Sequence, residues 1–397
     1  MKSEKNLHVL YIITKLELGG AQKICLSLMD GLQKAGHYPG LISGNQGVLV
    51  SEIKNFSSVY LIDSFKREVT LLSIFNEIKT FFLMIKYIRQ FKKKYAHVIV
   101  HTHSTKAGLL GRWAAFFAGV KKRIHTIHGF GFHDYQVKPK KNLIIFLEYL
   151  TSFITSHYIC VSQKDQEEGI KRFPWFEQKS SLIRAAVVWD NFFIPAQKIK
   201  SLSTNMQEID YTVFTLGTIS CFKPQKNLID LLKAFKLVVQ EIKTKAVSTR
   251  LKLQIIGDGV LRKDLEAWII KNNMIKDIEL LGWQQNSASW LHTWDLFVMS
   301  SLWEGLPCAI IEARLSKLPV VAYSVGGIAE VVFNYQNGFL IEPCNWQALA
   351  ERITQLILDR TLYHSMRFFN DNLTDFNDAV MIQKHISLYQ GIIETSS

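Results

Sequence analysis

Two carboxylates bracket the stretch Glu304-Gly-Leu-Pro-Cys-Ala-Ile-Ile-Glu312. Pro307 suits the first turn of a helix, so the sequence predicts a helix over 307–315. Glu304 then lies in the loop before this helix, and Glu312 lies about one and a half turns inside it. The three apolar residues before Glu312 predict a buried carboxylate, which ribose hydroxyls would satisfy. Alternatively, Glu304 is a solvated loop residue and Glu312 lies at the exposed edge of the helix.

Around this stretch, predicted strands and helices alternate along the whole chain. The predicted strands are 7–13, 41–43, 59–62, 98–101, 123–128, 158–162, 182–184, 213–216, 251–256, 278–281, 296–299 and 320–323. The predicted helices are 21–32, 71–92, 107–118, 142–155, 164–171, 227–240, 261–271, 307–315 and 346–358. This alternation is typical of an α/β protein with parallel sheets covered by helices.

The sequence predicts two Rossmann-like domains joined by a polar linker at 198–210. The first spans 1–197 and the second 211–377, and we expect a C-terminal helix at about 378–397 to pack back on the first. Two such domains would face each other across a cleft. Because ligands of open α/β sheets bind beyond the carboxyl ends of the strands, the loops after the strands should carry the site.

The net charge of +13 is unevenly distributed along the chain. Residues 1–200 hold 29 Lys and Arg against 14 Asp and Glu, whereas residues 201–397 hold 18 against 20. The basic first half indicates an anionic partner. Basic and aromatic residues interleave over 65–95, which fits a core helix with a solvated basic face, docking to anionic lipid headgroups, or both. No nucleic-acid-binding module accompanies the charge, so we expect no nucleic acid partner.

Five widely spaced cysteines form no metal or disulfide pattern, which favours a reducing compartment. The start of the chain lacks the features of a secretory signal. The apolar stretches at 71–90 and 143–161 contain charged residues, so neither is a good membrane-spanning candidate. The sequence therefore predicts a cytoplasmic protein, peripherally bound to the inner face of the cell membrane.

The second half repeats one arrangement, in which a strand ends and a polar or glycine-containing loop follows. Lys226 follows the first strand at a predicted helix start, where phosphate binding is natural. Later loops contain Gly257-Asp-Gly259, Gly282-Trp283 and Gly326-Gly327. Each glycine pair alone is a weak signal, and the chain contains neither a Walker A nor a GxGxxG motif.

In the order of these motifs, the chain resembles the family 4 retaining glycosyltransferases of the GT-B fold, of the type that makes bacterial capsules and other polysaccharides. The resemblance implies that Glu304 contacts hydroxyls of the donor sugar and that Glu312 holds the ribose. Lys226 would neutralise the donor diphosphate. The other implied donor contacts are Gly305 and Leu306 beside the sugar and phosphates, and Gly282 and Trp283 beside the base.

One position departs from this family. Members usually carry an Arg five positions before the Lys, also directed at the diphosphate, whereas this chain has Cys221 there. Lys223 is a partial substitute, although a Lys lacks the bidentate fork of Arg. The absence of this Arg affects how strongly the departing diphosphate is stabilised and leaves the predicted fold unchanged.

The first half supplies the acceptor side by the same resemblance. Gly19 and Gly20 follow the first strand, at a position that the family places near the donor phosphates and the acceptor; alternatively, they form an ordinary strand–helix turn. His128 matches the histidine that the family places at the donor sugar, and His103 would form a wall of the cleft or an acceptor contact. Two basic residues are candidates for contact with an acceptor phosphate or, alternatively, for a surface salt bridge: Lys106 and Arg112.

The resemblance implies a retaining transferase that moves a hexose or N-acetylhexosamine from a nucleotide-diphosphate sugar, with UDP favoured, to a lipid-diphosphate-linked glycan. His128, Lys226 and Glu304 are the predicted catalytic residues. Because the chain has no Asp-x-Asp motif, we expect no metal. Two alternatives remain open at this point: a metal-dependent hydrolase built on His101 and His103, and a non-catalytic membrane-surface binding protein with a transferase-like fold.

Overall fold

Two compact units make up the computed structural model, which describes residues 6–66, 74–194 and 212–394. The first unit consists of Met1–Ala186 together with Asp375–Ser397, and the second consists of Val187–Thr374. The chain therefore leaves the first unit at Val187 and returns to it at Asp375. The predicted linker at 198–210 lies outside the described residues.

The first unit contains a parallel seven-stranded sheet, because its apolar runs form strands that are buried on both faces. Its strands are β1 (His8–Ile13), β2 (Tyr38–Ser43), β3 (Val59–Leu61), β4 (Ile99–His103), β5 (Lys122–Ile127), β6 (His157–Cys160) and β7 (Ser180–Leu182). They lie in the order β3-β2-β1-β4-β5-β6-β7, and every neighbouring pair is parallel.

Helices connect these strands, and one helix from the end of the sequence joins them. The connecting helices are α1 (Gly20–Lys34), α2 (Ile74–Lys94), α3 (Thr105–Phe117), α4 (Lys138–Ser152) and α5 (Gln163–Arg172). The returning helix, α13 (Asp378–Glu394), packs on α1 at Gly31. A Cβ atom at Gly31 would lie only 2.6 Å from Cδ1 of Ile382, so a glycine is needed for this close approach.

The second unit contains a parallel six-stranded sheet in the order β10-β9-β8-β11-β12-β13. Its strands are β8 (Val213–Ile219), β9 (Arg250–Ile256), β10 (Ile278–Gly282), β11 (Leu296–Met299), β12 (Val320–Tyr323) and β13 (Gly338–Ile341). Its helices are α6 (Trp189–Phe192), α7 (Leu228–Thr244), α8 (Arg262–Lys271), α9 (Ser287–Leu291), α10 (Cys308–Leu315), α11 (Trp346–Leu358) and α12 (Arg360–Arg367). Apolar side chains of α7 and α11 bury this sheet, among them Leu231, Phe235 and Ile353.

This architecture confirms the predicted fold class of two parallel-sheet α/β domains. In the first unit, the carboxyl ends of β4 and β5 bring His103 and His128 together. In the second unit, the loops after β8 and β11 carry Lys226 and Glu304. None of the described helices, including α2 and α4, has the length and apolar character needed to cross a bilayer.

Candidate active site

The loop after β8 presents Lys226 at the start of α7. A helical turn at Pro224–Lys226 precedes Asn227, which has a left-handed conformation (φ 44°, ψ 45°), and α7 begins at the next residue. Asn tolerates this conformation better than most residues. Lys226 therefore lies before the start of α7 rather than within the helix.

The loop after β11 is hydrogen-bonded to the Lys226 loop. The Leu302 amide donates to the Gln225 carbonyl at 2.8 Å, and the Gln225 side chain donates to the Trp303 carbonyl at 2.7 Å. The Ser300 hydroxyl lies 3.0 Å from the carbonyl oxygens of both Lys226 and Asn227. These bonds hold the two loops as one body.

Lys226 and Glu304 meet at this junction as an ion pair. Lys226 Nζ lies 2.5 Å from Glu304 Oε1, and the exposed fractions of the two side chains are 17% and 9%. A largely buried charge pair is favourable only with good geometry and further hydrogen bonds, and the Gln225 amide lies 3.5 Å from the second carboxylate oxygen. The two loops therefore place a cation and a carboxylate in direct contact with each other, in a largely buried position.

Glu312 lies on α10, which begins one residue after Pro307. Its side chain is buried, with an exposed fraction of 5%, because the helix turns Ile310, Ile311 and Ala313 into the core as well. The predicted burial of Glu312 is confirmed, and the alternative of an exposed helix edge is wrong.

A glycine turn supports the loop that carries Glu304. Gly326 has φ +54°, and a Cβ atom there would lie 2.0 Å from the Glu304 carbonyl oxygen. The Gly327 amide donates to the Gly305 carbonyl at 2.6 Å. Because no side chain fits at Gly326, the backbone of this turn packs directly on the Glu304 loop and fixes its position. Leu306, the next residue in that loop, is buried.

The loop that contains Cys221 and Lys223 packs against the Gly257–Gly259 loop. Gly257 has φ +129°, and a Cβ atom there would lie 1.9 Å from the Ser220 carbonyl oxygen. Cys221 is half-buried, and Lys223 directly precedes the turn that carries Lys226. At the end of β10, Gly282 has φ +70° and Trp283 is exposed, so the indole face is accessible to a planar group.

In the first unit, His128 follows the end of β5 and forms a hydrogen bond with His103 at the end of β4. His103 Nδ1 lies 2.9 Å from His128 Nε2, and the rings are stacked with centroids 5.2 Å apart. Burial lowers the pKa of His128 to about 3 and the pKa of His103 well below its ordinary value. Both rings are therefore neutral.

The ring of His101 packs against that of His103, with ring centroids 4.3 Å apart. Its Nε2 lies 2.7 Å from the Thr126 hydroxyl, and its Nδ1 lies 2.6 Å from the hydroxyl of Tyr389 on α13. The Tyr389 hydroxyl also lies 3.1 Å from that of Tyr11 on β1. Neither partner of His101 could be identified from the sequence, because Tyr389 and Thr126 lie 288 and 25 residues away from it and no local pattern links them.

Arg112 does not face a ligand, which corrects the acceptor-side prediction. It is fully buried, and it donates to the Glu148 carboxylate at 2.7 Å and to the Gly108 carbonyl at 2.7 Å. Its position on the inner side of α3 directs it toward α4. Lys106 forms an ion pair with Glu77 at 2.5 Å, which is the salt-bridge alternative considered for it.

The first strand of the chain leads to a helix start at the two glycines. Gly19 has an extended conformation and precedes α1, which begins at Gly20. The amides of the first helical turn therefore point beyond the carboxyl end of β1, where an anion is favoured.

The structure gives the metal-hydrolase alternative no ligand set. Over residues 6–66, 74–194 and 212–394, no group of three or more His, Cys, Asp or Glu side chains is arranged to hold a metal. His101 uses both ring nitrogens in hydrogen bonds, and His125 turns away to Thr102.

Two family models match the chain in succession. Residues 18–187 match the model described as Glycosyltransferase Family 4, and residues 204–369 match Glycosyl transferases group 1. The chain is 29% identical to a UDP-Gal:alpha-D-GlcNAc-diphosphoundecaprenol alpha-1,3-galactosyltransferase of Escherichia coli, over 95% of each chain. It is 23% identical to the capsular polysaccharide biosynthesis glycosyltransferase CapM of Staphylococcus aureus, over 100% of this chain and 99% of the other.

Solved structures show the same fold. HepE of Anabaena in complex with UDP and glucose has a TM-score of 0.73 at 17% identity, over 98% of this chain and 99% of the other. The sucrose-phosphate synthase of Thermosynechococcus elongatus has a TM-score of 0.74 at 18% identity, over the same shares. The two-domain α/β architecture is therefore that of the GT-B fold.

Proposed function

The chain belongs to the glycosyltransferases, with a family 4 domain in its first half and a group 1 domain in its second, and we propose that it is a retaining enzyme of bacterial surface polysaccharide synthesis. It transfers a hexose or N-acetylhexosamine from a UDP-sugar to a lipid-diphosphate-linked glycan. Because the family models and relatives are those of glycosyltransferases, we set aside the two alternative functions, a metal-dependent hydrolase and a non-catalytic binding protein.

The Lys226–Glu304 pair, with Glu312 buried on the following helix, is the observation that carries this proposal. A diphosphate needs a cation, whereas sugar and ribose hydroxyls need hydrogen-bond acceptors. The residues after β8 and β11 supply both within one hydrogen-bonded body. In this assignment Lys226 holds the diphosphate, Glu304 the sugar hydroxyls and Glu312 the ribose.

Transfer with retention breaks the bond between the anomeric carbon and the diphosphate oxygen. The acceptor hydroxyl oxygen bonds to the anomeric carbon on the same face, and its proton passes to the departing diphosphate. Negative charge develops on the departing diphosphate. Lys226 and the positive end of α10 stabilise this charge, which is the kind of interaction that lowers a barrier most. We assign neither a metal nor an enzyme nucleophile to the reaction.

The comparisons support the choice of donor and acceptor classes. The Escherichia coli relative is named for UDP-Gal and a diphosphoundecaprenol acceptor, and HepE was solved with UDP and glucose. A lipid-linked acceptor requires the enzyme to work at a membrane surface. We therefore propose that the chain binds peripherally to the inner face of the cell membrane.

The helices α2, α3 and α4 provide a surface suited to this. Neighbouring helices in this series pack on each other, and large apolar side chains remain exposed on them: Ile74, Phe75, Ile78 and Phe82 on α2, Phe116 and Phe117 on α3, and Leu143, Phe146 and Leu150 on α4. Lysines and arginines lie beside these side chains, including Lys86, Arg89 and Lys93 along one groove with Phe82. We call this surface the α2–α4 face.

The proposal is tested by substituting Glu312. We expect Glu312→Gln and Glu312→Ala to lower the rate of sugar transfer from a UDP-sugar to a polyprenyl-diphosphate-linked acceptor by about a hundredfold or more. Calorimetric binding of UDP should weaken by about tenfold, because the carboxylate no longer accepts from the ribose. Rates should be the same with and without a chelator.

Glu351→Ala is the matched control, since Glu351 is an exposed glutamate on a helix of the same unit. It should transfer sugar at the native rate. Native turnover in the Glu312 variants, or failure of the native chain to turn over any UDP- or GDP-sugar, would overturn the proposal.

A further inference from the structure

We propose that His103 is a positioning residue, which holds His128 in the single tautomer that presents an Nδ1–H group to the donor sugar. The inference rests on the proposed function, because it takes the donor sugar of that reaction as the ligand that His128 contacts. It concerns the direction of one hydrogen bond inside the first unit.

The bond joins His103 Nδ1 and His128 Nε2 at 2.9 Å. A neutral imidazole carries one proton on one of its two nitrogens, so one ring must donate and the other must accept. Burial lowers the pKa of both rings, so neither exists as the doubly protonated cation near neutral pH. Two arrangements remain, and they differ in which group His128 offers to a ligand.

The remaining nitrogen of His103 decides between them. His103 is fully buried, and its Nε2 atom has no hydrogen-bond partner among the described residues. Orphaned buried N–H groups are rarer in native structures than incompletely satisfied acceptors. The proton of His103 therefore lies on Nδ1 and is donated to His128 Nε2.

His128 must then carry its own proton on Nδ1. Its ring is partly accessible, in contrast to that of His103, and its one described hydrogen bond is the bond to His103. The accessible side of the ring thus presents a donor. Hydroxyl and ether oxygens of a sugar accept from such a group, so the neutral ring can orient a sugar without adding charge.

The His103 ring is held in place by its surroundings. His101 lies against it with ring centroids 4.3 Å apart, and Tyr11 lies 5.8 Å away on the same side of the sheet. His101 is fixed in turn through both of its nitrogens, by Thr126 and Tyr389. These contacts disfavour a rotation of the His103 ring that would exchange its two nitrogens.

Nitrogen NMR of the full-length chain labelled at histidine tests the proposal directly. The native chain should show His128 with its proton on Nδ1, with the signals assigned by their loss in His128→Gln. His103→Asn should preserve this tautomer, because its side-chain amide can donate from nearly the position of Nδ1. His103→Leu should release His128 to a mixture of tautomers.

His125→Asn is the matched control, since His125 is another buried histidine of β5 whose partner is Thr102. It should leave the His128 tautomer unchanged even where it costs stability. A proton on Nε2 of His128 in the native chain, or an unchanged tautomer in His103→Leu, would overturn the proposal.

Kinetics supply the second measurement. We expect kcat/KM for the UDP-sugar to fall by about tenfold in His103→Leu and to stay within about twofold of native in His103→Asn. In a His128→Gln background, His103→Leu should have no further effect, since its influence passes through His128. An equal loss in that background would overturn the positioning role. The NMR measurement tests the tautomer of His128 without requiring any sugar transfer. Absence of transfer by the native chain would instead contradict the proposed function.

Discussion

Burial lowers the pKa of several histidines in the first unit, including His101, His103, His128 and His385. The pKa falls to about 3 for His128 and to about 4 for His385, and lies well below its ordinary value for His101 and His103. An unfolded chain exposes the same rings to water, where they take up protons near pH 6.5. Folding is therefore linked to pH through these residues.

Lowering the pH from neutral to about 5 should destabilise the first unit. The unfolded state binds protons below about pH 6.5 while the folded rings stay neutral, so the stabilisation is complete above that pH and is lost as pH falls toward the folded pKa values. Between these two pH values, each histidine lowers the free energy of unfolding by up to about 1.4 kcal/mol for every unit by which the pH falls. Urea titrations should show a shallower pH dependence for His385→Leu, by about one proton.

The control for this measurement is His97→Asn. His97 is exposed and has a positive φ of 52°, which Asn tolerates. This variant should keep the native pH dependence. A His385→Leu slope equal to the native one would show that His385 is protonated to the same extent in both states.

At the scale of single residues, the sequence identified side chains whose role depends on local motifs. Glu304, Glu312 and Lys226 could be chosen because the order of their motifs resembles a known family, and the structure confirms that Glu312 is buried. Arg112 was misassigned because a basic residue near a strand end looks the same whether it faces solvent or Glu148. Contacts such as that between Tyr389 and His101 depend on tertiary packing and leave no local signal.

The turn at Gly326 shows how a loop positions a functional residue on its neighbour. We expect Gly326→Ala to lower the rate of sugar transfer by about tenfold or more, because its Cβ would displace the Glu304 carbonyl. The positive φ of 54° adds strain, so thermal unfolding should show a loss of about 1–3 kcal/mol.

Gly391→Ala is the corresponding control on α13. A Cβ atom there meets nothing within 4 Å, and alanine favours a helix, so this variant should transfer at the native rate with equal or higher stability. Native transfer by Gly326→Ala would mean that the glycine turn does not set the position of Glu304.

Elements made of a continuous apolar run or of a clear helical repeat could be predicted from the sequence, whatever their length. The predicted strands at 296–299 and 320–323 and the helix at 346–358 coincide with β11, β12 and α11. The edge strand β13 was missed because glycine replaces an apolar residue at its start, and the strand depends on pairing with β12. Residues 71–73 of the predicted helix 71–92 lie outside the described residues, and α2 continues to Lys94.

On the scale of the whole molecule, charge and apolar surface coincide in the first half of the chain. Residues 1–200 carry the whole positive excess, and the α2–α4 face lies within them. We expect the chain to bind vesicles containing anionic phospholipid better than neutral ones, with binding weakened by salt because screening shortens the range of the attraction.

Phe146→Asp should reduce this vesicle binding by about tenfold or more in a flotation assay, because it removes an inserted ring and adds repulsion. Ile275→Asp is the control: Ile275 is exposed to a similar extent, 63% against 55% for Phe146, but lies in the second unit. Equal losses in the two variants would argue against a specific role of the α2–α4 face.

The return of α13 to the first unit also has a consequence for the order of folding during synthesis. The ribosome releases all strands of the first sheet long before residue 389, so His101 and Tyr11 initially lack the Tyr389 hydroxyl. The whole second unit, Val187–Thr374, emerges in between and can fold on its own contacts. The unit that begins first is thus completed last, and it must wait with one face of α1 uncovered until α13 arrives.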